Sequence, residues 1–222
     1  MRRKILKESP KVLGLDVSTQ TIGWALFDIR GKQLLELTHI SPRPKLKTED
    51  KIEELLLKSE IFKTKIEQYK NLGITKVIIE EPLLNSNNVY TVGTLLRFNG
   101  MISKVVDDVL GVVPEFISSY DSRAYAFPEL MAIRTHDKKG EPYKEKELKT
   151  KKPVLFGAHP WDVDKKQVIW DKVADREPQI VWEYDKNMKL KKENFDMTDS
   201  YAAVLGYMRK DRKSTRLNSS HT

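Results

Sequence analysis

The sequence predicts an α/β domain, and three observations carry that reading. Three apolar, alternating segments, 11–17, 21–28 and 32–40, follow one another with short connections, the pattern of an antiparallel meander. Beyond Pro42 and Pro44 the pattern changes, and the whole reads βββ-α-β-α-β before a less regular region and closing helices. The chain is 222 residues long without cysteine, enough for one buried core and no disulfide framework or thiolate metal site.

The first strand, "KVLGLDV", runs apolar into Asp16, and "TIGWALFD" returns after a polar turn, with Trp24 read as core. The turn around Gly31 leads to "KQLLELTHI", which His39 closes. Residues 48–71 follow a helical period, with Ile52, Leu55, Leu56, Ile66 and Tyr69 on one stripe, Thr48 as N-cap and Gly73 as stop. "KVIIEE" is a short buried strand. A second helix fits 88–110, ended by Gly111, and "EFISSY" at 115–120 reads as a fifth strand. Helices at 162–175 and 197–208 complete the pattern. Residues 1–210 read as one domain with a basic insert at about 128–161, while 211–222 read as a disordered tail resembling a non-native read-through.

Formal charge is +8 and the pI about 9.4, a balance that favours polyanionic partners. Segment 134–152 is dense in Lys and Arg and nearly free of apolar residues. It reads as a solvated loop, and in functional terms as a flexible basic arm along a phosphate backbone, with Lys138, Lys139, Lys149, Lys151 and Lys152 as contacts. No apolar run approaches the ~20 residues of a membrane span, and the basic start lacks a cleavable apolar segment. A cytoplasmic protein, of a bacterium or a phage-infected cell, is the expectation.

Acidic residues at three places carry the chemistry. Asp16 ends the first strand, Glu80 the fourth, and Asp196 and Asp199 open the last helix at i and i+3, on one face. If the first and fourth strands are neighbours, Asp16 and Glu80 converge at one edge, and the last helix can lay its acidic end across them. Carboxylates suit Mg²⁺ or Mn²⁺, and the scarcity of histidine and cysteine argues against zinc. Two such ions stabilise both oxygens of a phosphodiester under attack. Each acid alone also has a plain reading: Asp16 as turn former, Asp196 as helix cap, Asp199 as macrodipole partner. Glu81 points to the opposite face.

"GLDVSTQTIGWALFD", "VIIEEPL" and "DMTDSYAAVLGY", in that order, resemble the RuvC-type Holliday junction resolvases of the RNase H-like superfamily, phage-like versions above all. The resemblance covers about residues 11–127 and 162–209. It implies an RNase H-like α/β fold, a five-stranded mixed sheet flanked by helices. It implies metal-dependent cleavage of four-way DNA junctions by a homodimer, with Asp16, Glu80, Asp196 and Asp199 holding two Mg²⁺ or Mn²⁺ ions. Arg97, in "LLRFNG", falls on a segment that in that family faces DNA or the partner subunit. Leu83 and Leu84 stand where the family often carries an aromatic junction wedge, a departure that speaks against distortion by stacking and leaves an apolar wedge open.

Two rival readings stay open. An RNase H-like nuclease acting on structured RNA, flaps or single strands would use the same carboxylates. The opening motif also resembles the phosphate-binding hairpin of sugar kinases and actin-like ATPases, but the chain has no Gly-Gly pair for their adenosine motif. Arg123 is expected to form a salt bridge within the fold, and Trp161, Trp170 and Trp182 are open between core and base-stacking roles.

Overall fold

The computed structural model describes residues 9–82 and 88–219, with side chains through Asp211. Five strands form one mixed sheet: β1 (Lys11–Val17), β2 (Ile22–Asp28), β3 (Gln33–Ile40), β4 (Ile74–Glu80) and β5 (Glu115–Ile117), in the order β3-β2-β1-β4-β5. β1, β2 and β3 pair antiparallel as their short turns require, whereas β4 joins β1, and β5 joins β4, in parallel. The parallel pairs are reached through helices α1 (Lys51–Ile66) and α2 (Val89–Leu110).

Alternation along the strands divides the core in two. Leu13, Leu15, Trp24, Leu26, Val77 and Ile79 face α1 and α2, meeting Leu55, Phe62, Phe98 and Ile102. The opposite face, with Val12, Ala25, Phe27 and Ile78, is covered by α3 (Ser119–Ala126), α5 (Lys165–Arg176) and α6 (Glu193–Ser219). Trp24 is fully buried, as its sequence context predicts.

α6 is buried all round from Met197 to Val204, so it is an internal helix wedged between sheet and α3. Small residues make that possible. A Cβ on Gly14 would lie 2.4 Å from the Ser200 carbonyl oxygen, and one on Gly206 would lie 2.5 Å from that of Ser122. Asn194 fixes where the helix begins: its side chain accepts from Glu183 N and donates to the carbonyls of Glu183 and Lys191.

Several boundaries differ from the sequence reading. α1 is capped by Asp50, whose carboxylate accepts from Ile52 N and Glu53 N, and not by Thr48, which bonds Glu53 instead. "EFISSY" yields only three strand residues, because Ser118 accepts from Asp121 N and starts α3. α6 begins at Glu193, ahead of the expected 197, and continues to Ser219, so the backbone of 211–219 is helical where the composition predicts disorder. Arg, Lys and Leu in that stretch are good helix formers. Asn88 and Gly111, with φ +66°, bound α2 where the sequence put its ends.

The basic insert carries local structure: strands β6 (Met131–Ala132) and β7 (Val154–Leu155) pair antiparallel, with the one-turn helix α4 (Glu145–Leu148) between them. Leu155 is buried in the core beneath α5 and α6, anchoring the insert to the domain.

Candidate metal and nucleic-acid site

Parallel pairing of β1 with β4 ends at Leu15 opposite Ile79. Asp16 and Glu80 are the next residues of each strand, so both project from the sheet face that α6 covers. Gly23, opposite Asp16 on β2, lets the first turn of α6 touch the sheet: a Cβ there would lie 1.9 Å from the Asp196 carbonyl oxygen. The close approach brings Asp196 and Asp199 beside the strand-end acids.

Electrostatics report the convergence. Burial pushes Asp16 well above the usual carboxylate range, and repulsion from Glu80, Asp199 and Asp196 adds to it. Burial, then the charge of Asp199, raises Glu80 to about 8. Asp196 rises to about 6 through burial, partly offset by Lys166, with Asp199 and Glu193 adding to the rise. Asp199 is only 4% exposed.

Two cations and a hydroxyl meet these acids. Arg123 of α3 donates from Nη2 to Asp199 Oδ1 at 3.3 Å. Burial disfavours the charge on Arg123, but Asp199 and Glu80 outweigh that and hold it more firmly protonated than usual. Lys166 of α5 places Nζ 3.7 Å from Asp196 Oδ1 and 3.9 Å from Asp199 Oδ2. Ser122, fully buried, donates to Glu80 Oε2 at 3.3 Å. Arg123 does form the intramolecular salt bridge expected of it, but within the acidic cluster. The sequence reading missed Ser122 and Lys166. The Ser118-x-x-Asp121 spacing could have revealed α3, and so placed Ser122 on a helix. Nothing local links Lys166 to acids 30 and 33 positions away.

Hard carboxylate oxygens, crowded against one another, suit a divalent cation of the Mg²⁺ or Mn²⁺ type. Four carboxylates face only two cationic side chains, and Asp16 and Glu80 hold on to protons that such an ion would displace. Among the described residues no three His, Cys, Asp or Glu side chains are grouped closely enough to hold a metal ion. Arg123 and Lys166 hold Asp196 and Asp199 in ion pairs, which departs from the expected open nest of carboxylates.

The other candidates are dispersed. Arg97 is exposed on α2. In the insert, Lys138 lies over Trp161 and Lys151 over Tyr143, while Lys152 reaches across to Tyr120 of α3. Lys149 pairs with Glu145, and Lys139 is exposed. Leu83 and Leu84 lie outside the described residues. Glu81 is exposed, one residue beyond the end of β4. No described helix is long and apolar enough to cross a membrane.

Sheet order, mixed pairing and an internal last helix define the class: an RNase H-like α/β fold. Two solved structures share it. T. thermophilus RuvC in complex with a Holliday junction substrate superposes with a TM-score of 0.55 at 11% identity, over 92% of this chain and 96% of that one. A second Thermus thermophilus RuvC structure gives a TM-score of 0.50 at 15% identity, over 92% and 97%. Neither a family model nor a curated protein matches the sequence. At such identities the likeness establishes the fold, and function must be argued from the site.

Proposed function

We propose that the protein is a divalent-metal-dependent endonuclease that cuts branched DNA, four-way junctions above all, by paired symmetric nicks. The observation that carries this reading is the convergence of Asp16, Glu80, Asp196 and Asp199, from two neighbouring strand ends and one helix, on a basic RuvC-like scaffold. These four residues are the ones to hold the ions. Bound there, Mg²⁺ or Mn²⁺ would supply an acidified water and charge stabilisation for the phosphate oxygens.

The chain's own contribution is electrostatic and positional. Arg123 fixes the Asp199 carboxylate, and Ser122 orients Glu80. Lys166, half exposed at the mouth, is placed to meet an incoming phosphate once its acids are otherwise engaged. The lysines of the insert add contacts to the nucleic-acid backbone. A two-fold symmetric junction matches a C₂ dimer, so a homodimer belongs to the proposal.

The test is a panel of four-way, flap, duplex and single-stranded substrates, as DNA and as RNA, each with and without Mg²⁺ or Mn²⁺. Metal-dependent paired nicks in the four-way DNA are expected. Cleavage confined to RNA, or no metal-dependent cleavage, would overturn the proposal.

A further inference from the structure

Within the insert, at a distance in sequence from every acid of the site, lies a cleft of about 370 Å³, bordered by Thr135, His136, Asp137, Lys138, His159 and Trp161. Its volume falls in the range of small-molecule sites. The wall bearing His159 and Trp161 is built with care. Phe156 and Gly157 both take left-handed backbone, φ +52° and +68°, a costly conformation for a phenylalanine. A Cβ on Gly157 would press to 3.0 Å from the Ile133 carbonyl oxygen. The Arg134 guanidinium donates twice to the Ala158 carbonyl, at 3.2 and 2.5 Å, tying the two walls together.

On that wall His159 and Trp161 stack in parallel, ring centres 4.7 Å apart and planes 3° from coplanar. His159 Nε2 donates to the Asp137 carbonyl at 3.0 Å, which fixes the imidazole in its plane. The indole remains 61% exposed, although tryptophan is on average a highly buried residue. Lys138 Nζ sits over the same indole, 5.4 Å from the ring centre. The Asp137 carboxylate accepts from the backbone N–H groups of Lys139 and Glu141, so main chain and not the Lys138 ammonium holds it in place.

We infer that this cleft binds an unpaired nucleobase, stacked on the face of Trp161 that His159 leaves open, with Lys138 swinging off the ring to its flanking phosphate. Flat aromatic surface beside a cation is the chemistry by which proteins take bases that have left a duplex. Place supports it as well. Trp161 is five residues before Lys166, whose Nζ reaches the acids, so the two Cα atoms are at most ~18 Å apart, about five nucleotides of a strand. One DNA branch can thus present a phosphate to the acids and a displaced base to the cleft. The inference rests on the proposed function only for the ligand being DNA.

The experiment uses the full chain and three otherwise identical DNA duplexes: fully paired, with one unpaired 2-aminopurine, and with an abasic site in its place. The wild type should bind the 2-aminopurine duplex about ten-fold more tightly than the other two and quench its fluorescence. Trp161→Ala should abolish that preference while binding the paired duplex as before, and Trp161→Phe should retain most of it. Equal affinity of the wild type for the base-bearing and abasic duplexes overturns the inference and leaves the nuclease proposal standing. So does a preference that survives Trp161→Ala, or a Trp161→Ala loss equal on all three duplexes. Failure of the wild type to bind any of the three while it binds a four-way junction overturns the inference alone, and failure to bind the junction as well overturns both.

Discussion

Replacing Gly23 by alanine tests whether the packing of α6 on the sheet creates the site. The added Cβ would stand 1.9 Å from the Asp196 carbonyl oxygen, 2.3 Å from its carbon and 2.9 Å from Met197 N, all backbone atoms. Real contacts of this kind stay above 3.0 Å, so the first turn of α6 must retreat by the difference, roughly 1.1 Å. The helix has nowhere easy to go, since Met197 through Val204 are buried on every side. Overpacking of this kind costs about 3 kcal/mol or more, since backbone and not a flexible side chain is displaced. At about 2–4 °C per kcal/mol for a chain of this size, the melting midpoint should fall by about 6–12 °C. A shift of about 1 Å in Asp196 should also cost on the order of 100-fold in cleavage, measured where the variant is still folded. Gly31→Ala is the control, because its nearest neighbour would be an ordinary 3.6 Å away. A Gly23→Ala protein that melts and cuts like the wild type would refute the reasoning about α6.

Asp16→Asn and Glu80→Gln should each abolish cleavage while leaving junction binding intact in a mobility-shift assay, and each should raise the metal-free melting temperature near pH 8 by relieving buried repulsion. Stability should also depend on pH in a defined direction. Asp16, Glu80 at about 8 and Asp196 at about 6 bind protons in the folded chain that the unfolded chain has already released, so their contribution is full below about pH 4 and is lost as pH rises to 8. Metal-free melts between pH 5 and 8 should therefore drop with pH by several degrees, and saturating Mg²⁺ or Mn²⁺ should flatten the slope; a metal-free midpoint that rises over that interval would contradict this. Alanine at Lys138, Lys139, Lys149, Lys151 and Lys152 together should weaken junction binding and make it less sensitive to salt, as read from affinities at several ionic strengths.

Much of the positioning framework was legible because it rests on local pattern. The meander, the α2 boundaries at Asn88 and Gly111, and the placing of Asp16 and Glu80 at strand ends all follow from periodicity and end signals. What stayed hidden depends on contacts across the chain. "EFISSY" reads as a strand by composition, yet β4 offers β5 only three partners, and the Ser118 cap turns the rest into α3. That error concealed Ser122 on its helix and the place of Arg123. Nothing in the sequence singles out Lys166 from the other lysines of its helix, and only the packing of α5 against α6 makes it a partner of Asp196. The insert announced its charge but not its order, because strands of two residues have no periodicity to read; Leu155 is its sole deeply buried apolar anchor among the described residues.

Calorimetric titration of Mn²⁺ into the metal-free protein at pH 7, in buffers of different ionisation heat, probes the acid cluster most directly. The wild type should bind the ion and release protons from the cluster as it does so, and Asp16→Asn or Glu80→Gln should lose both signals. Binding that persists unchanged in both variants, or no binding to the wild type, would contradict the claim that these four carboxylates form one cation site.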